Sequence, residues 1–411
     1  ADESIEVNNN QDFQVNVVRD RVRILHLNGR PSWDSRYLRE VLVNNPKVDL
    51  LSFFILRTLS DDVEATTDEL SLIPFPSNLL FTDYLNSFDV VIFQNFQFSP
   101  FVDKKYLENI KNYVENGGAF IMIGGDLSFQ GGGYENTPIE AILPVSLKGT
   151  TKNLIEDEFQ FQEAKIFANH PVLRLEKEDA LNQSAWKSMS PLNGLNIGLI
   201  PKKNAQALSS FARSGDESAY PVLVVGKAGK GRSLVLATDT SWNWNFRRVG
   251  KGGSGRYYQK FWNNVISWMI ADPETHNLQI ETDKAGYKVD EKVLIKFKVL
   301  QENFNPLPDK KVRLVIHSSP GRRGVLEQTL ETDKSGEGSF QFLPAREGFY
   351  WARLEVQDKE TQANEVSFSV SRDTVEFQKP MINSALLEAM AKTTGGIYQV
   401  LNDSTDMSKL D

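Results

Sequence analysis

Four short apolar runs constrain this chain more than any other feature. They are RILHL at residues 23–27, VVIF at 90–93, AFIMI at 119–123 and SLVLA at 233–237. Each stops abruptly at a polar or glycine turn: Asn28, Gln94-Asn95, Gly124-Gly125 and Thr238-Asp239. Short runs without polar alternation mark strands buried on both faces. Helical patterns lie between them. NGRPSWDSRYLREVL offers Ser32 or Asp34 as an N-cap and continues through Leu42. VDKKYLENIKNYVENGG is amphipathic and ends at Gly117-Gly118. A further strand is expected over residues 48–55, with a long polar loop after it. Strands alternating with helices imply an α/β fold, a parallel sheet with helices on both faces. Ligands of such sheets sit outside the carboxyl ends of the strands.

The second half of this region is less regular. YPVLVV and SLVLAT read as strands joined by GKAGKG at residues 226–231, and RYYQKFWNNVISWMI reads as a helix. Past Asp272-Pro273 the period changes. NLQIETDKAGYKVDEKVLIKFKVL, KKVRLVIHSS, the long segment ending in FYWARLEV, and NEVSFSV alternate apolar and polar residues between turns such as Lys334-Ser335-Gly336. That pattern predicts an all-β sandwich of about 100 residues. The expected divisions are an N-terminal strand or linker at 1–20, the α/β domain at 21–272, the sandwich at 273–372, and a tail at 373–411. The tail reads as a short helix, a Gly-Gly turn and a short strand. A chain of 411 residues is long enough for two or three domains.

Composition removes several function classes. There is no cysteine, so disulfides, thiolate zinc sites and a thiol nucleophile are all excluded. The formal charge of −8 argues against non-specific nucleic-acid binding. No apolar run is long enough to span a membrane. The start at Ala1-Asp2-Glu3 suits a mature secreted form or a soluble piece of a longer membrane protein.

GKAGKG resembles a phosphate loop only superficially. It lacks the full spacing and joins two β segments, so a hairpin turn is expected. RRVGKGGSGR at residues 247–256 reads as a solvated loop able to meet an anion or a partner. The four histidines, His26, His170, His276 and His317, show no metal-ligand spacing, and His26 falls inside a strand. No metal or other cofactor is expected. Asp126 and Asp239 each follow a buried strand and would share one sheet edge. A carboxylate pair there can do acid–base work or hold a divalent cation, or each can cap a turn. Trp33, Trp242 and Trp244 stand near Arg30 and Arg36, a combination that suits a carboxylate-bearing or planar ligand, or a peptide.

Taken together, RILHLNGRPSWDSRYLREVL, SLIPFPSNLLF, FDVVIFQNF, GGAFIMIGGDLSFQGGGYENTPIEAILPV and GRSLVLATDTSWNWNF resemble the glutamine amidotransferase-like domain of bacterial envelope proteins, over about residues 20–272. Such domains often accompany von Willebrand factor A modules and membrane helices. The sandwich resembles the immunoglobulin-like or macroglobulin-like module of the same proteins, and the tail resembles the segment that follows it. The resemblance implies a flavodoxin-like parallel sheet, a cysteine on a strand–turn–helix elbow and a His-x-Glu at the end of a later strand. Here the elbow reads Ile123-Gly124-Gly125-Asp126-Leu127, and the later strand ends Ala237-Thr238-Asp239-Thr240. Glutamine hydrolysis needs an attacking thiolate and an activating base, and neither stands at its place.

The expectation is therefore a non-catalytic binding or scaffolding protein, periplasmic or otherwise extracytoplasmic, anchored through segments absent from this chain. Its partners would be envelope proteins, with a small-molecule or peptide ligand in the cleft and no nucleic acid. The expected cleft residues are Asn28, Arg30, Trp33, Arg36, Gln94, Asn95, Gly124, Gly125, Asp126, Asp239, Thr240 and Trp242. The loop from Asp126 to Tyr134 would roof that cleft. The alternative is a hydrolase using Asp126 and Asp239 in the same place. A third reading is a purely structural component whose cleft is filled by its own side chains.

Overall fold

The computed structural model describes residues 21–54, 76–99, 101–149, 153–213, 215, 219–250, 255–356, 365–371 and 383–399. The expected strand within residues 1–20, the last residue of the strand expected over 48–55, and the polar loop through residue 75 lie outside them. The α/β body contains β1 (Val22–Asn28), α1 (Trp33–Val43), β2 (Val48–Phe54), α2 (Ser77–Phe81), β3 (Val90–Gln94), α3 (Lys104–Glu115), β4 (Ala119–Ile123), α4 (Pro138–Ile142), β5 (Val145–Leu147), β6 (Leu154–Phe159), α5 (Asp179–Lys187), β7 (Leu192–Asn196), β8 (Leu199–Pro201), β9 (Gln206–Phe211), β10 (Tyr220–Ala228), β11 (Gly231–Leu236), α6 (Asn243–Gly250) and α7 (Arg256–Met269).

Seven strands form the main sheet, in the order β2-β1-β3-β4-β11-β10-β9. The first five are mutually parallel. The crossovers β1 to β2 and β3 to β4 run in opposite directions, so their right-handedness puts α1 and α3 on opposite faces. The α1 layer includes α7, and the α3 layer includes α2 and α4. The chain path explains the burial. All five residues of β3 and all five of β4 are buried, as their continuous apolar runs require.

The sheet is parallel over its first five strands and mixed beyond them, because β10 pairs antiparallel with both β11 and β9. The reason is local. Ala228 pairs with Gly231, leaving Gly229 (φ +59°) and Lys230 as a two-residue turn, too short for the crossover a parallel pair needs. GKAGKG is thus a hairpin. The helix expected directly after β4 is not formed. Residues 124–137 form successive turns, so the strand–turn–helix elbow is missing its helix.

The β module has two sheets around its own core, which includes Ile295, Phe297, Leu314, Ile316, Leu354 and Phe368. One sheet is β12 (Leu278–Thr282), β14 (Val293–Val299) and β17 (Glu337–Phe342), in that order. The other runs β13 (Gly286–Lys288), β19 (Glu365–Ser371), β18 (Gly348–Val356), β15 (Lys311–Ser318) and β16 (Arg323–Glu331). One loop of this module reaches into the α/β body. Phe304, at φ +64° and only 7% exposed, joins the core of the α/β body and meets His170 edge-on at 4.9 Å. Around it Asn169 Nδ2 donates to Asn305 Oδ1 (2.9 Å), Asn305 Nδ2 to the Ile166 carbonyl (3.2 Å) and Gln206 Nε2 to the Glu302 carbonyl (2.9 Å). In the tail, α8 (Ser384–Thr394) is capped by Gly395 in the left-handed region, and none of its residues is buried. Residues 397–399, the described part of the expected tail strand, form no strand. Among the described residues, no helix is long and apolar enough to cross a membrane.

Candidate functional site

The carboxyl ends of β1, β3, β4 and β11 meet at one edge of the sheet. The parallel order reverses between β1 and β3, where a ligand crevice is expected. That crevice is closed by the chain itself. Gly29 N–H donates to the Gln94 carbonyl (3.1 Å), and a Cβ on Gly29 would lie 1.8 Å from the Asn95 carbonyl oxygen. Only glycine permits that approach.

The elbow is similarly tied down. Gly125 sits at φ +124°, and a side chain there would meet Asn95 Cγ at 2.4 Å. Asn196, at the end of β7, clamps Gly125 from both sides. Its Oδ1 accepts Gly125 N–H (2.8 Å) and its Nδ2 donates to the Gly125 carbonyl (3.0 Å). Asn95, itself at φ +44°, accepts Leu127 N–H on Oδ1 (2.8 Å). The following loop does not roof an open space. It buries Phe129 and Tyr134 completely, with the Tyr134 hydroxyl donating to the Phe96 carbonyl (2.6 Å).

Below this surface runs a buried hydrogen-bond chain. Asp34, in the first turn of α1, is fully buried. Its Oδ1 accepts from Ser241 Oγ (2.7 Å) and Trp242 N–H (2.7 Å), and its Oδ2 accepts from Gln94 Nε2 (2.8 Å). Gln94 Oε1 pairs with His26 Nε2 at 2.9 Å. With the Gln94 amide nitrogen committed to Asp34, its oxygen must accept, so His26 carries its proton on Nε2. The other ring nitrogen, Nδ1, accepts from Asn28 Nδ2 (3.3 Å) and lies 3.5 Å from Ser52 Oγ. Burial holds His26 down at about 4, so it is neutral at physiological pH. Burial pushes Asp34 up to about 7; its hydrogen bonds oppose this, and the charge of Asp239 adds to it. Ser32, not Asp34, is the N-cap of α1, in a reciprocal pair with Ser35.

The twelve expected cleft residues thus divide in two. Asn28, Gln94, Asn95, Gly124 and Gly125 are buried and bonded within the protein, and they do not line an open pocket. Thr240 is held by its hydroxyl, which donates to the Asn193 carbonyl (2.8 Å). The other six remain at the surface or half-buried. Arg30 Nη1 lies 3.9 Å from Asp126 Oδ2, both well exposed. Asp239 is half-buried; its pKa is raised by desolvation and further by the charge of Asp126. Trp33 is 55% exposed with the Arg36 guanidinium 5.3 Å from its ring centroid. Trp33, Tyr37, Trp242 and Phe246 form a ledge of rings with centroids 5.6–6.4 Å apart. Trp244 is instead fully buried.

Sequence reasoning missed Asp34 as a site residue, along with Asn196 and Ser241. An aspartate one turn into a helix reads as a dipole partner, and Asn196 lies in a segment whose path the sequence does not announce. Among the described residues no group of three or more His, Asp or Glu is placed to hold a metal ion. A cavity of about 230 Å³, lined by Asn86, Asp89, Asn116 and Ile270 among others, lies at the amino ends of β3 and β4, away from this edge.

Residues 85–271 match the family described as "Putative glutamine amidotransferase". Over that stretch, from before β3 to the end of α7, the chain is similar to the glutamine amidotransferase-like family. A cytoplasmic protein of Salmonella typhimurium LT2 is 22% identical, covering 60% of this chain and 99% of that one, at a TM-score of 0.41. On a shorter stretch the chain is similar to invasin, a bacterial integrin-binding protein, at 18% identity over 23% of this chain and 19% of that one (TM-score 0.20). It is likewise similar to the Lin-41 filamin domain, at 16% identity over 24% and 94% (TM-score 0.21). No curated protein matches the chain.

Proposed function

We propose that this is a non-catalytic amidotransferase-like binding or scaffolding protein of the bacterial cell envelope, the soluble part of a membrane-anchored protein. The observation that carries this reading is the state of the elbow. Acyl transfer needs a nucleophile, a base, and backbone N–H groups free to meet the developing oxyanion. At the elbow the side chain is Asp126, exposed and facing Arg30. The N–H groups on either side of it, at Gly125 and Leu127, are taken by Asn196 and Asn95. The nearby histidine, His26, is buried within the Asp34 chain.

The β module then serves as an immunoglobulin-like contact module. The loop carrying Phe304 supports its working as one piece with the α/β body. Ammonia release from glutamine is the direct test. The reading expects none above a blank. Turnover that disappears in Asp126→Ala would overturn it.

One observation favours the alternative of a carboxylate hydrolase: Asp239 is half-buried, with a raised pKa, near a second carboxylate, Asp126. That reading requires hydrolysis of ester, amide or glycoside model substrates with loss of rate in Asp239→Asn. A null result across the three classes removes it.

A further inference from the structure

The chain through Asp34 has one conspicuous loose end. Among the described residues, Asn28 Oδ1 is buried and accepts no hydrogen bond, although Asn28 Nδ2 donates to His26. A buried amide oxygen without a donor is costly, about 1–3 kcal/mol. It makes sense if the chain has a second arrangement in which that oxygen is used.

The second arrangement follows from donor and acceptor counting. Oδ1 of Asp34 accepts two hydrogen bonds and Oδ2 accepts one, so a proton arriving on Oδ2 displaces fewest donors. It would then face the Gln94 amide nitrogen, donor against donor. Turning the Gln94 amide over puts Oε1 toward Asp34 to accept, and Nε2 toward His26 to donate. His26 must then present Nε2 as an acceptor and carry its single ring proton on Nδ1. That proton faces Asn28 and Ser52. With the Asn28 amide turned over, Oδ1 accepts it, and Nδ2 takes the place that Oδ1 held. One proton enters from solvent; His26 keeps one ring proton throughout, moved from Nε2 to Nδ1 by exchange during local opening.

We propose that Asn28, His26, Gln94 and Asp34 form a proton-operated latch with two hydrogen-bond polarities, which fixes the turn between β11 and α6 to the start of α1. In the ionised state the Ser241 hydroxyl and Trp242 N–H donate to a full carboxylate, which makes both bonds charge-assisted and strong. In the protonated state they meet a neutral acid and weaken. Trp242 and Phe246 carry one half of the aromatic ledge, and Trp33 and Tyr37 of α1 carry the other. The latch therefore sets how firmly the two halves are held together.

Among the described residues, these charges act on it. Asp239, on the β11 turn, repels the ionised form of Asp34. Asp126 acts on Asp239, and Arg39 on His26. The buried Tyr258 phenol of α7, with Glu40 nearby, stays neutral. His26 titrates only near 4, so between pH 5 and 9 the switching group is Asp34.

The test is nitrogen NMR of the His26 ring, with the Trp242 backbone amide followed in parallel, from pH 5 to 9. The proton is expected on Nε2 at high pH and on Nδ1 at low pH. The Trp242 amide should shift with the same midpoint, near 7. Asp34→Asn should abolish both transitions. Asp239→Asn, at a half-buried position, should keep the fold and move both midpoints to lower pH by removing a like charge. A His26 proton that stays on Nε2 across the range overturns the latch. So does a Trp242 transition that ignores Asp239→Asn. Neither outcome touches the absence of glutamine turnover, which tests the functional reading separately.

Discussion

Asp34 illustrates how a single residue can change its meaning with context. As a sequence feature it is an acid in the first turn of a helix, one of two N-cap candidates. In the fold it accepts three hydrogen bonds from two other segments. Its raised pKa has a definite sign. The folded protein holds a proton that the unfolded chain releases above about 3.8, so this contribution to stability is full below that pH and is lost as pH rises toward about 7. His26 and His170 act oppositely. Burial holds them at about 4 and about 3 from an ordinary 6.5, so the stability they contribute is full above 6.5 and lost as pH falls. Each shifted group contributes a slope of about 1.4 kcal/mol per pH unit within its window. The two histidines outweigh Asp34 below pH 6.5, and above it Asp34 pulls the other way, with Asp239 and Glu163 shifted in the same direction by burial. Urea unfolding across pH should therefore show a maximum near pH 6.5, and Asp34→Asn should steepen the acid side by about that slope. The Asn196 clamp gives a second expectation at this scale. Asn196→Ala strands a buried N–H and a buried carbonyl at Gly125, a loss of about 2–4 kcal/mol in the same measurement.

At the scale of elements, β1, α1, β2, β3, α3, β4, β10, β11 and α7 were plain in the sequence because each is dictated by its own residues, whereas β5 to β9, α4 and α5 were not. The run AFIMI has no polar position to expose and can only be a buried strand. In α3, Asp103 caps the helix, and Tyr106, Leu107, Ile110, Tyr113 and Val114 fall on one buried face. What pattern did not reveal is how strand ends interlock. The elbow looked open because glycines there read as freedom. In fact Gly125 is required by contact as well as by φ. Gly125→Ala should destabilise by about 2 kcal/mol or more, through strain and collision with Asn95, with a lowered melting temperature as the readout. Trp33→Ala on the exposed ledge should instead change the melting temperature little. The antiparallel turn of β10 was also readable, since GKAGKG is too short for a crossover. Its consequence, a mixed sheet, follows directly.

For the whole molecule, the central question is whether the β module moves independently. Two cores exist, but Phe304 belongs to the first while its strands belong to the second. Removing that ring should cost about 3–4 kcal/mol at the junction. Calorimetry should show Phe304→Ala splitting a joint transition into two, or widening it measurably, with each module's secondary structure intact. A single unchanged transition would mean the loop adds little. In sequence Phe304 is one aromatic residue in a β-turn region, QENFNP, with nothing to mark its destination. Only the placement of His170, Asn169 and Gln206 beside it creates the socket.

The amino-acid sequence by itself determined the local matters: which runs are strands, where helices cap, where the period switches to an all-β module, and that no thiol is available for amidotransfer. These rest on nearest-neighbour chemistry, hydrophobic period and composition, which a chain carries with it in any conformation. The tertiary structure decided which polar groups remain available. Asn28, Gln94, Asn95 and the elbow glycines looked like cleft residues, and became a bonded interior because segments as far apart as Asp34, Asn196 and Ser241 converge on them. Burial then did what sequence cannot express, moving one carboxyl to about 7 and one imidazole to about 4 by removing the water that would have kept them ordinary.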